Sequence, residues 1–258
     1  MNTIQELFAR LKTEGRTAFI PFLPAGDPDL AFTGELLPKV SEAGADLIEI
    51  GFPFSDPIAD GPVIQESYTR ALAKRIKVDD IFAMLKSVEC TAPRMAMASY
   101  SLIWKYGPER FIAAALAANV AGAVVPDLPV EEAESLSKLA AERDFALTLL
   151  VTPTTSPERA ATIMKACTGF VYVVSVVGIT GNQSAAIETI AALTTKLRNL
   201  SDKPLCLGFG INTPEQVNAF APYADGIIVG SALVKKLTTP DAMAAIPTLV
   251  RELRAGLR

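Results

Sequence analysis

The chain contains no histidine at all. Without an imidazole, a Ser-His-Asp triad, a Cys-His dyad and a histidine-ligated metal site are all excluded. Its three cysteines, Cys90, Cys167 and Cys206, are too few and too scattered to build a disulfide framework or a metal-ligand pattern. Any general acid–base chemistry therefore falls to carboxylates, lysine, tyrosine or cysteine.

Long apolar runs and a strong net charge are also missing. No run of about 18 apolar residues occurs, so we expect no membrane-spanning helix. The formal net charge is −4 and no basic tract stands out, which argues against a protein that binds duplex nucleic acid. The first fifteen residues predict an amphipathic helix instead of a signal peptide, so we expect a cytoplasmic location.

Short apolar, β-branched runs alternate with helical patterns along all 258 residues. Strands are predicted at Ala18–Leu23, Leu47–Gly51, Arg94–Ser99, Gly122–Val125, Ala146–Val151, Phe170–Ser175, Leu205–Gly208 and Gly226–Val229. After the third of these, the next predicted helix begins at Pro108. Eight strands alternating with helices indicate an α/β fold, a single-domain (β/α)8 TIM barrel over residues 1–258 with an extra N-terminal helix. The competing open doubly wound sheet usually carries a glycine fingerprint after its first strand, and this chain has none there.

The segment Asp46–Pro62, DLIEIGFPFSDPIADGP, places acidic side chains in and after a buried strand. Period-two alternation puts Glu49 inside the barrel if its neighbours Ile48 and Ile50 face the helices. Asp60 follows on the loop at the carboxyl end of that strand, where TIM barrels carry active sites. Two carboxyl groups over one cavity can divide the work of acid and base. The alternative is structural, with Glu49 satisfied by hydrogen bonds and Asp60 a turn or cap residue.

Glycine-bearing segments follow the last three predicted strands. They are Gly178-Ile179-Thr180-Gly181, Gly208-Phe209-Gly210-Ile211 and Gly230-Ser231. Glycine lets backbone N–H groups approach an anion, and Ser231 opens a short helix, SALVKKL, whose positive dipole end would face that anion. Barrels often bind phosphate at the loops after strands seven and eight. The pattern therefore predicts a phosphate site at Gly181, Gly210, Gly230 and Ser231, although each glycine pair alone is more often a turn.

These motifs resemble the tryptophan synthase alpha subunit family over essentially the full length of the chain. The most specific match is Ile48-Glu49-Ile50-Gly51-Phe52-Pro53-Phe54-Ser55-Asp56-Pro57, continued by Ala59-Asp60-Gly61-Pro62. Supporting matches are Phe19-Ile20-Pro21-Phe22 with Ala25-Gly26-Asp27-Pro28, Pro126-Asp127-Leu128-Pro129 with Glu131-Glu132, and the three glycine segments.

The resemblance implies cleavage of indole-3-glycerol phosphate to indole and glyceraldehyde 3-phosphate, a retro-aldol reaction in L-tryptophan biosynthesis. It implies no cofactor in this chain. The implied partner is a PLP-dependent beta subunit that receives the indole within an alpha2-beta2 heterotetramer. By resemblance, Glu49 would move the protons, and Asp60 would hold the indole N–H and stabilise developing positive charge.

The resemblance also implies an indole pocket and a lid. The candidate pocket residues are Phe22, Leu128, Tyr172 and Phe209. The alternative for the apolar three is ordinary barrel packing, and for the tyrosine a purely structural hydroxyl. The segment Gly178–Ser184 would form the lid, with Thr180 bonding to Asp60 on closure. The apolar loop Phe52–Ile58 would pack against the beta subunit or fold over the barrel mouth.

Two departures from the family pattern stand out. Ser99-Tyr100-Ser101 replaces the Tyr-x-Asn segment that usually follows the third strand, and Val176-Val177 stands where many relatives carry a polar residue or arginine. On a strand, a one-residue shift turns a side chain to the opposite face, so packing near Glu49 would differ.

Other functions remain open at this point. The chain could be a free-standing indole-releasing lyase, or a catalytically weak subunit that activates a partner. It could also be another phosphosugar-handling barrel enzyme, such as an isomerase, although such an enzyme has no need for the Glu49 and Asp60 pair.

Overall fold

The computed structural model describes residues 1–175, 183–208 and 210–257, and among the described helical residues the side chains of 183 and 184 are left out. Nine parallel strands form the centre of this described part. They are β1 Ala18–Pro24, β2 Ile48–Gly51, β3 Arg94–Met97, β4 Val120–Val124, β5 Ala146–Thr148, β6 Leu150–Val151, β7 Val171–Val174, β8 Leu205–Gly208 and β9 Gly226–Val229.

The strands lie in the order β5-β4-β3-β2-β1-β9-β8-β7-β6, so the two end strands are consecutive in the chain. Only Leu149 separates β5 from β6, and its carbonyl accepts a hydrogen bond from the N–H of Tyr172 in β7. β5 pairs with β4, whereas β6 pairs with β7. The chain itself therefore closes the ring. The predicted (β/α)8 barrel is confirmed, and its fifth strand, predicted as Ala146–Val151, is interrupted at one residue.

Helices surround the strands in the described part of the chain. They are α1 Thr3–Thr13, α2 Leu30–Glu42, α3 Pro62–Leu72, α4 Val78–Ser87, α5 Tyr100–Tyr106, α6 Pro108–Ala117, α7 Glu134–Glu142, α8 Pro157–Ala166, α9 Gln183–Arg198, α10 Pro214–Phe220, α11 Ser231–Lys236 and α12 Ala242–Arg254. Proline occupies the first position of four of them, where its missing N–H costs nothing. None of these helices is long and apolar enough to cross a membrane.

The segment after the third strand differs from the prediction. The strand predicted to reach Ser99 ends at Met97, and α5 begins at Tyr100. Ser99 explains the change, because its Oγ accepts a hydrogen bond from the N–H of Ser101 and caps the helix. The aromatic composition of α5 is a weak helix signal, so the pattern missed it. Tyr100 lies in a helix, so the prediction that a one-residue shift turns it to the other face of a strand is wrong.

Helix α1 covers the amino-terminal ends of the strands, and the predicted extra N-terminal helix is confirmed. Its buried residues recur at helical spacing and are Ile4, Leu7, Phe8 and Leu11. The ring of Phe8 packs on that of Phe170 with centroids 5.7 Å apart. The side chain of Asn2 donates a hydrogen bond to the carbonyl of Thr168 at 2.8 Å. The loops at the opposite, carboxyl-terminal end remain available for a functional site.

Asp46, just before β2, joins distant parts of the chain. One carboxylate oxygen accepts from the backbone N–H of Phe19 at 3.0 Å and from Arg254 at 2.6 Å. The other oxygen accepts from Arg16 at 2.8 Å. Its own N–H donates to the carbonyl of Phe19 at 3.0 Å. One side chain therefore connects the first two strands to α12.

Asp27, in the loop after β1, fixes the orientation of α3. Its carboxylate is 3 % exposed and accepts a hydrogen bond from Ser67 at 2.6 Å. The guanidinium of Arg70 adds two more, at 3.0 and 2.6 Å. A bidentate pair of this kind constrains direction as well as distance. Helix α3, which begins two residues after Asp60, therefore has a defined rotation against the barrel.

Arg94 fixes two outer helices to β3 from a buried position. Its guanidinium donates to the carbonyl of Leu85 at 2.8 Å and to that of Ala118 at 3.0 Å. These carbonyls lie in the last turn of α4 and just after α6, where a helix supplies no N–H donor for its carbonyl groups.

We expect Arg94→Met to lower the free energy of unfolding by about 2–3 kcal/mol, because buried carbonyls lose charged donors. Urea unfolding monitored by circular dichroism measures the change. Arg251→Met, on the exposed face of α12, is the matched control and should change stability little. Equal losses in the two variants would contradict the role assigned to Arg94.

Candidate active site

Glu49 lies in the middle of β2, between Phe22 of β1 and Met95 of β3 in the parallel register. Its flanking isoleucines, Ile48 and Ile50, are fully buried. Glu49 lines a cavity together with residues from β1, β7 and the loops after β2, β8 and β9. The carboxyl group therefore faces the inside of the barrel, as the alternation of the strand predicts.

The Glu49 carboxyl is buried, and the described residues give it no hydrogen bond. The residue is 2 % exposed. Within the described ranges, neither of its oxygens has a hydrogen-bond partner. Burial, followed by the negative charge of Asp60, raises the pKa of Glu49 to about 8. At neutral pH the group therefore carries a proton that it can donate.

Asp60 lies on the loop after β2 and lines the same cavity. Its N–H donates to the carbonyl of Pro57 at 3.0 Å, and its own carbonyl accepts from the side chain of Gln65 at 2.8 Å. Burial, followed by the negative charge of Asp127, raises the pKa of Asp60 to about 7. The N-cap position of α3 belongs to Gly61. The structure therefore gives no support to a capping role for Asp60.

The cavity joins both carboxyl groups to part of the predicted phosphate site. Its described lining residues are Phe22, Glu49, Asp60, Ile64, Met97, Tyr172, Gly210, Ile211, Ile228, Gly230 and Ser231. Ser231 begins the predicted short helix, which is present as α11. The first N–H groups of such a helix have no partner within it and are free to bind an anion.

Two glycines make room for aromatic rings at this end of the barrel. A Cβ at Gly51 would lie 2.5 Å from the ring of Phe22, and one at Gly208 would overlap the hydroxyl of Tyr172. Burial and then the charge of Glu49 raise the pKa of Tyr172 well above its usual value. Its hydroxyl therefore stays protonated beside the carboxyl groups.

Other predicted residues lie elsewhere or outside the described ranges. Leu128 is buried beside a neighbouring cavity that also includes Ala59 and Asp127, not among the described lining of the Glu49 cavity. The predicted lid Gly178–Ser184 falls almost wholly outside what the structure describes. The individual residues named from the sequence that fall outside are Val176, Val177, Thr180, Gly181 and Phe209.

The structure adds two ionisable groups that the sequence analysis did not select. Tyr68, on α3, is buried next to the carboxyl pair. Asp127 accepts hydrogen bonds from the hydroxyl of Ser99 at 2.6 Å and from the N–H of Tyr100 at 2.7 Å. The position of Asp127 directly after the fourth strand was the available signal for it, because barrel sites collect there.

Comparison with known proteins agrees with this arrangement. The family model described as tryptophan synthase alpha chain matches residues 8–254. The chain is 47% identical over 263 residues to the tryptophan synthase alpha chain of Synechocystis sp., and the match covers 100% of both. The chain belongs to the tryptophan synthase alpha chain family.

Solved structures support the same assignment. A chain of tryptophan synthase from M. tuberculosis, in an aminoacrylate-bound form, superposes on this chain with a TM-score of 0.90 at 32% identity. The alignment covers 100% of both chains. The alpha subunit of tryptophan synthase from Legionella pneumophila gives a TM-score of 0.90 at 33% identity, covering 99% of this chain and 98% of that one. The described residues therefore have the fold of tryptophan synthase alpha chains.

The raised pKa of Glu49 predicts how the stability of this alpha chain depends on pH. An unfolded glutamate loses its proton near 4.5, whereas the folded group keeps it to about 8. Between these values the folded state holds the extra proton, so stability falls as pH rises. Each pKa unit corresponds to about 1.4 kcal/mol.

We expect Glu49→Gln to be more stable than the parent by roughly 3–5 kcal/mol at pH 8, with little of that difference at pH 4. Chemical denaturation at several pH values measures it. Glu35→Gln, at an exposed site on α2, serves as the control and should change stability little. A Glu49→Gln gain that is independent of pH would rule out the charging explanation.

Proposed function

We propose that this chain catalyses the retro-aldol cleavage of indole-3-glycerol phosphate to indole and glyceraldehyde 3-phosphate, as the alpha subunit of tryptophan synthase. The observation that carries the proposal is that two carboxyl groups with unequal, raised pKa values face one cavity. Glu49 has a pKa of about 8 and Asp60 one of about 7. Near neutral pH the pair therefore offers one proton donor and one partly ionised carboxylate.

The reaction adds a proton to indole C3 and removes a proton from a hydroxyl of the glycerol chain. Protonation of indole C3 turns the ring into a leaving group, and the neutral, buried Glu49 supplies that proton. The bond from C3 to the glycerol chain then breaks as the neighbouring hydroxyl becomes an aldehyde. Its proton returns to the Glu49 carboxylate, so the group ends as it began.

Asp60 acts on the opposite side of the ring in this scheme. Protonation at C3 places positive charge on the indole nitrogen. A carboxylate that accepts a hydrogen bond from the indole N–H stabilises that charge as it develops. The partial exposure of Asp60 and its pKa of about 7 leave a substantial ionised fraction at neutral pH.

The substrate phosphate would bind at the glycine-bearing side of the cavity. Gly210 and Gly230 present backbone without side chains there, and α11 begins at Ser231. Its serine hydroxyl and first N–H groups suit a phosphate oxygen. Phe22 and Ile64 supply apolar surface for the indole, and Tyr172 lies beside Glu49. Gly181, Thr180, Phe209 and Leu128 keep their predicted roles as part of this proposal.

A PLP-dependent beta subunit is the proposed partner, in an alpha2-beta2 heterotetramer within the cytoplasm. The chain needs no cofactor of its own for the chemistry above. Ile58 is 86% exposed on the segment after β2, and Trp104 is 66% exposed on the segment after β3. Large exposed apolar side chains on neighbouring segments of the functional end are typical of a binding surface. Phe52, in contrast, is buried against Phe82 and Phe111.

The two carboxyl substitutions test the reaction. We expect Glu49→Gln to abolish indole release, because the amide can neither give nor take the proton. Asp60→Asn should reduce release by about 10²–10⁴-fold, because it removes charge stabilisation. Indole release is measured from indole-3-glycerol phosphate, with and without a beta subunit, alongside the size of the mixture. Turnover retained by Glu49→Gln would remove this residue from the mechanism.

The same assay separates the remaining alternatives. Release that needs no beta subunit, with no change in size on mixing, would indicate a free-standing lyase. No release by the parent chain in either condition would contradict the proposed activity. Activation of a beta subunit by a chain that releases no indole would indicate a partner-activating role.

Ser231 tests the phosphate site independently of turnover. We expect Ser231→Ala to weaken the binding of glycerol 3-phosphate by roughly three- to tenfold, the effect of one hydrogen bond of about 0.5–1.5 kcal/mol. Calorimetry in the Glu49→Gln background measures it. Ser87→Ala, at the exposed end of α4, is the control. Equal affinities in the two variants would place the phosphate elsewhere.

A further inference from the structure

Tyr68 shares a buried helix face with a residue of the proposed site. Ile64, Tyr68 and Ala71 are buried residues of α3, and the first two are one helical turn apart. Ile64 lines the cavity that holds Glu49, and Tyr68 lines the adjoining one. Asp60 lines both cavities, so it lies between the two.

The phenol oxygen of Tyr68 points into the mouth of the barrel. A Cβ at Gly51 would lie 2.5 Å from this oxygen. Gly51 follows Glu49 by two residues on β2 and therefore projects to the same face, roughly 6.6 Å further along the strand. The hydroxyl consequently lies beyond Glu49 at the carboxyl-terminal end of β2, the end of the barrel that carries the Asp60 loop.

The position of this phenol is set by contacts outside the site. The hydrogen bonds from Ser67 and Arg70 to Asp27 hold α3 on both sides of Tyr68 in the sequence. The ring is 2 % exposed. Rotation of the helix would break these bonds, so the oxygen is held where it is.

The groups that face Asp60 come from several elements. They are Glu49 of β2, Asp127 after β4, Tyr68 of α3 and Tyr172 of β7. Burial, then Asp60 and then Glu49 raise the pKa of Tyr68 well above its usual value, so its O–H stays protonated. A buried phenol O–H normally finds an acceptor. Asp60 lines the same cavity as Tyr68, whereas Glu49 does not. Asp127 lines it too, but its two oxygens already accept hydrogen bonds from Ser99 and Tyr100. The Asp60 carboxylate is therefore the suitable acceptor.

We propose that Tyr68 is a positioning residue for Asp60. The two side chains line one cavity, and among the described residues no hydrogen bond joins them. When Asp60 is ionised and accepts from the indole N–H on one oxygen, the phenol O–H of Tyr68 donates a hydrogen bond to the other oxygen. The inference rests on the proposed function, because it concerns how the same carboxylate is oriented and kept ionised.

Tyr68→Phe removes only the hydroxyl and keeps the ring that fills the space. Loss of a donor to the carboxylate disfavours its ionised form. We expect the acidic limb of the kcat profile for indole release to move to higher pH by roughly half a unit to one unit. At a given pH on that limb, the kcat of Tyr68→Phe should be about three- to tenfold lower than that of the parent chain. The affinity for glycerol 3-phosphate should not change.

Tyr106→Phe is the matched control, because it also removes a phenol that bonds to a carboxylate, that of Asp79, on the outer surface. Its pH profile should equal that of the parent chain. If Tyr68→Phe releases indole normally and has the same pH profile of kcat as the parent chain, the inference is overturned and the proposed function is left intact. No release by either the parent or Tyr106→Phe would overturn both.

A double-mutant cycle gives a second readout. If Tyr68 acts through Asp60, then Tyr68→Phe should have no further effect on kcat in the Asp60→Asn background. Purely structural damage would instead multiply with the effect of Asp60→Asn, and that result would overturn the inference. Each variant is compared with its own background. Circular dichroism measures any general loss of folded protein separately.

Discussion

The burial of one carboxyl group is the constraint on which the rest of the site depends. Glu49 projects from the middle of a strand into the barrel, where the described protein offers its oxygens no hydrogen bond. A charge in such a place is costly, so the group keeps its proton to a pH of about 8. Stability would be served by an apolar residue here. The chain instead retains an ionisable group in the middle of β2.

The surroundings of this group depend on where side chains are missing as much as on where they are present. Gly51 admits the ring of Phe22 and the hydroxyl of Tyr68, and Gly208 admits the hydroxyl of Tyr172. Methyl groups at these strand ends would collide with the aromatic side chains. The two phenols can therefore lie close to the two carboxyl groups, whose negative charge adds to burial in raising the pKa of both phenols.

Much of this arrangement could be predicted from the sequence, for physical reasons. Strand alternation has a period of two, so the buried isoleucines on each side of Glu49 determine its direction. The rule that barrel sites lie at the carboxyl ends of strands brought Asp60 and the Gly230-Ser231 segment to the same side. These inferences need only local periodicity and the closure of the ring.

Tyr68 and α5 could not be predicted in this way. Helical spacing shows that Ile64 and Tyr68 share a face, but it does not give the rotation of α3 against the barrel. That rotation depends on Asp27, about 40 residues earlier in the chain. Helix α5 depends on the cap at Ser99, which overrides the preference of its aromatic residues for strands. In both cases a tertiary or capping contact decides what the local pattern leaves open.

The three-way link at Asp46 has a consequence for how the chain acquires this structure. Its partner Arg254 lies 208 positions further along the sequence. A ribosome adds about 5–20 residues each second, so the nascent chain waits roughly ten seconds or longer before this contact can form. During that interval the first two strands can pair, but the ion pair that ties them to α12 does not yet exist. The link from these strands to α12 is therefore added only when nearly the whole barrel has been synthesised.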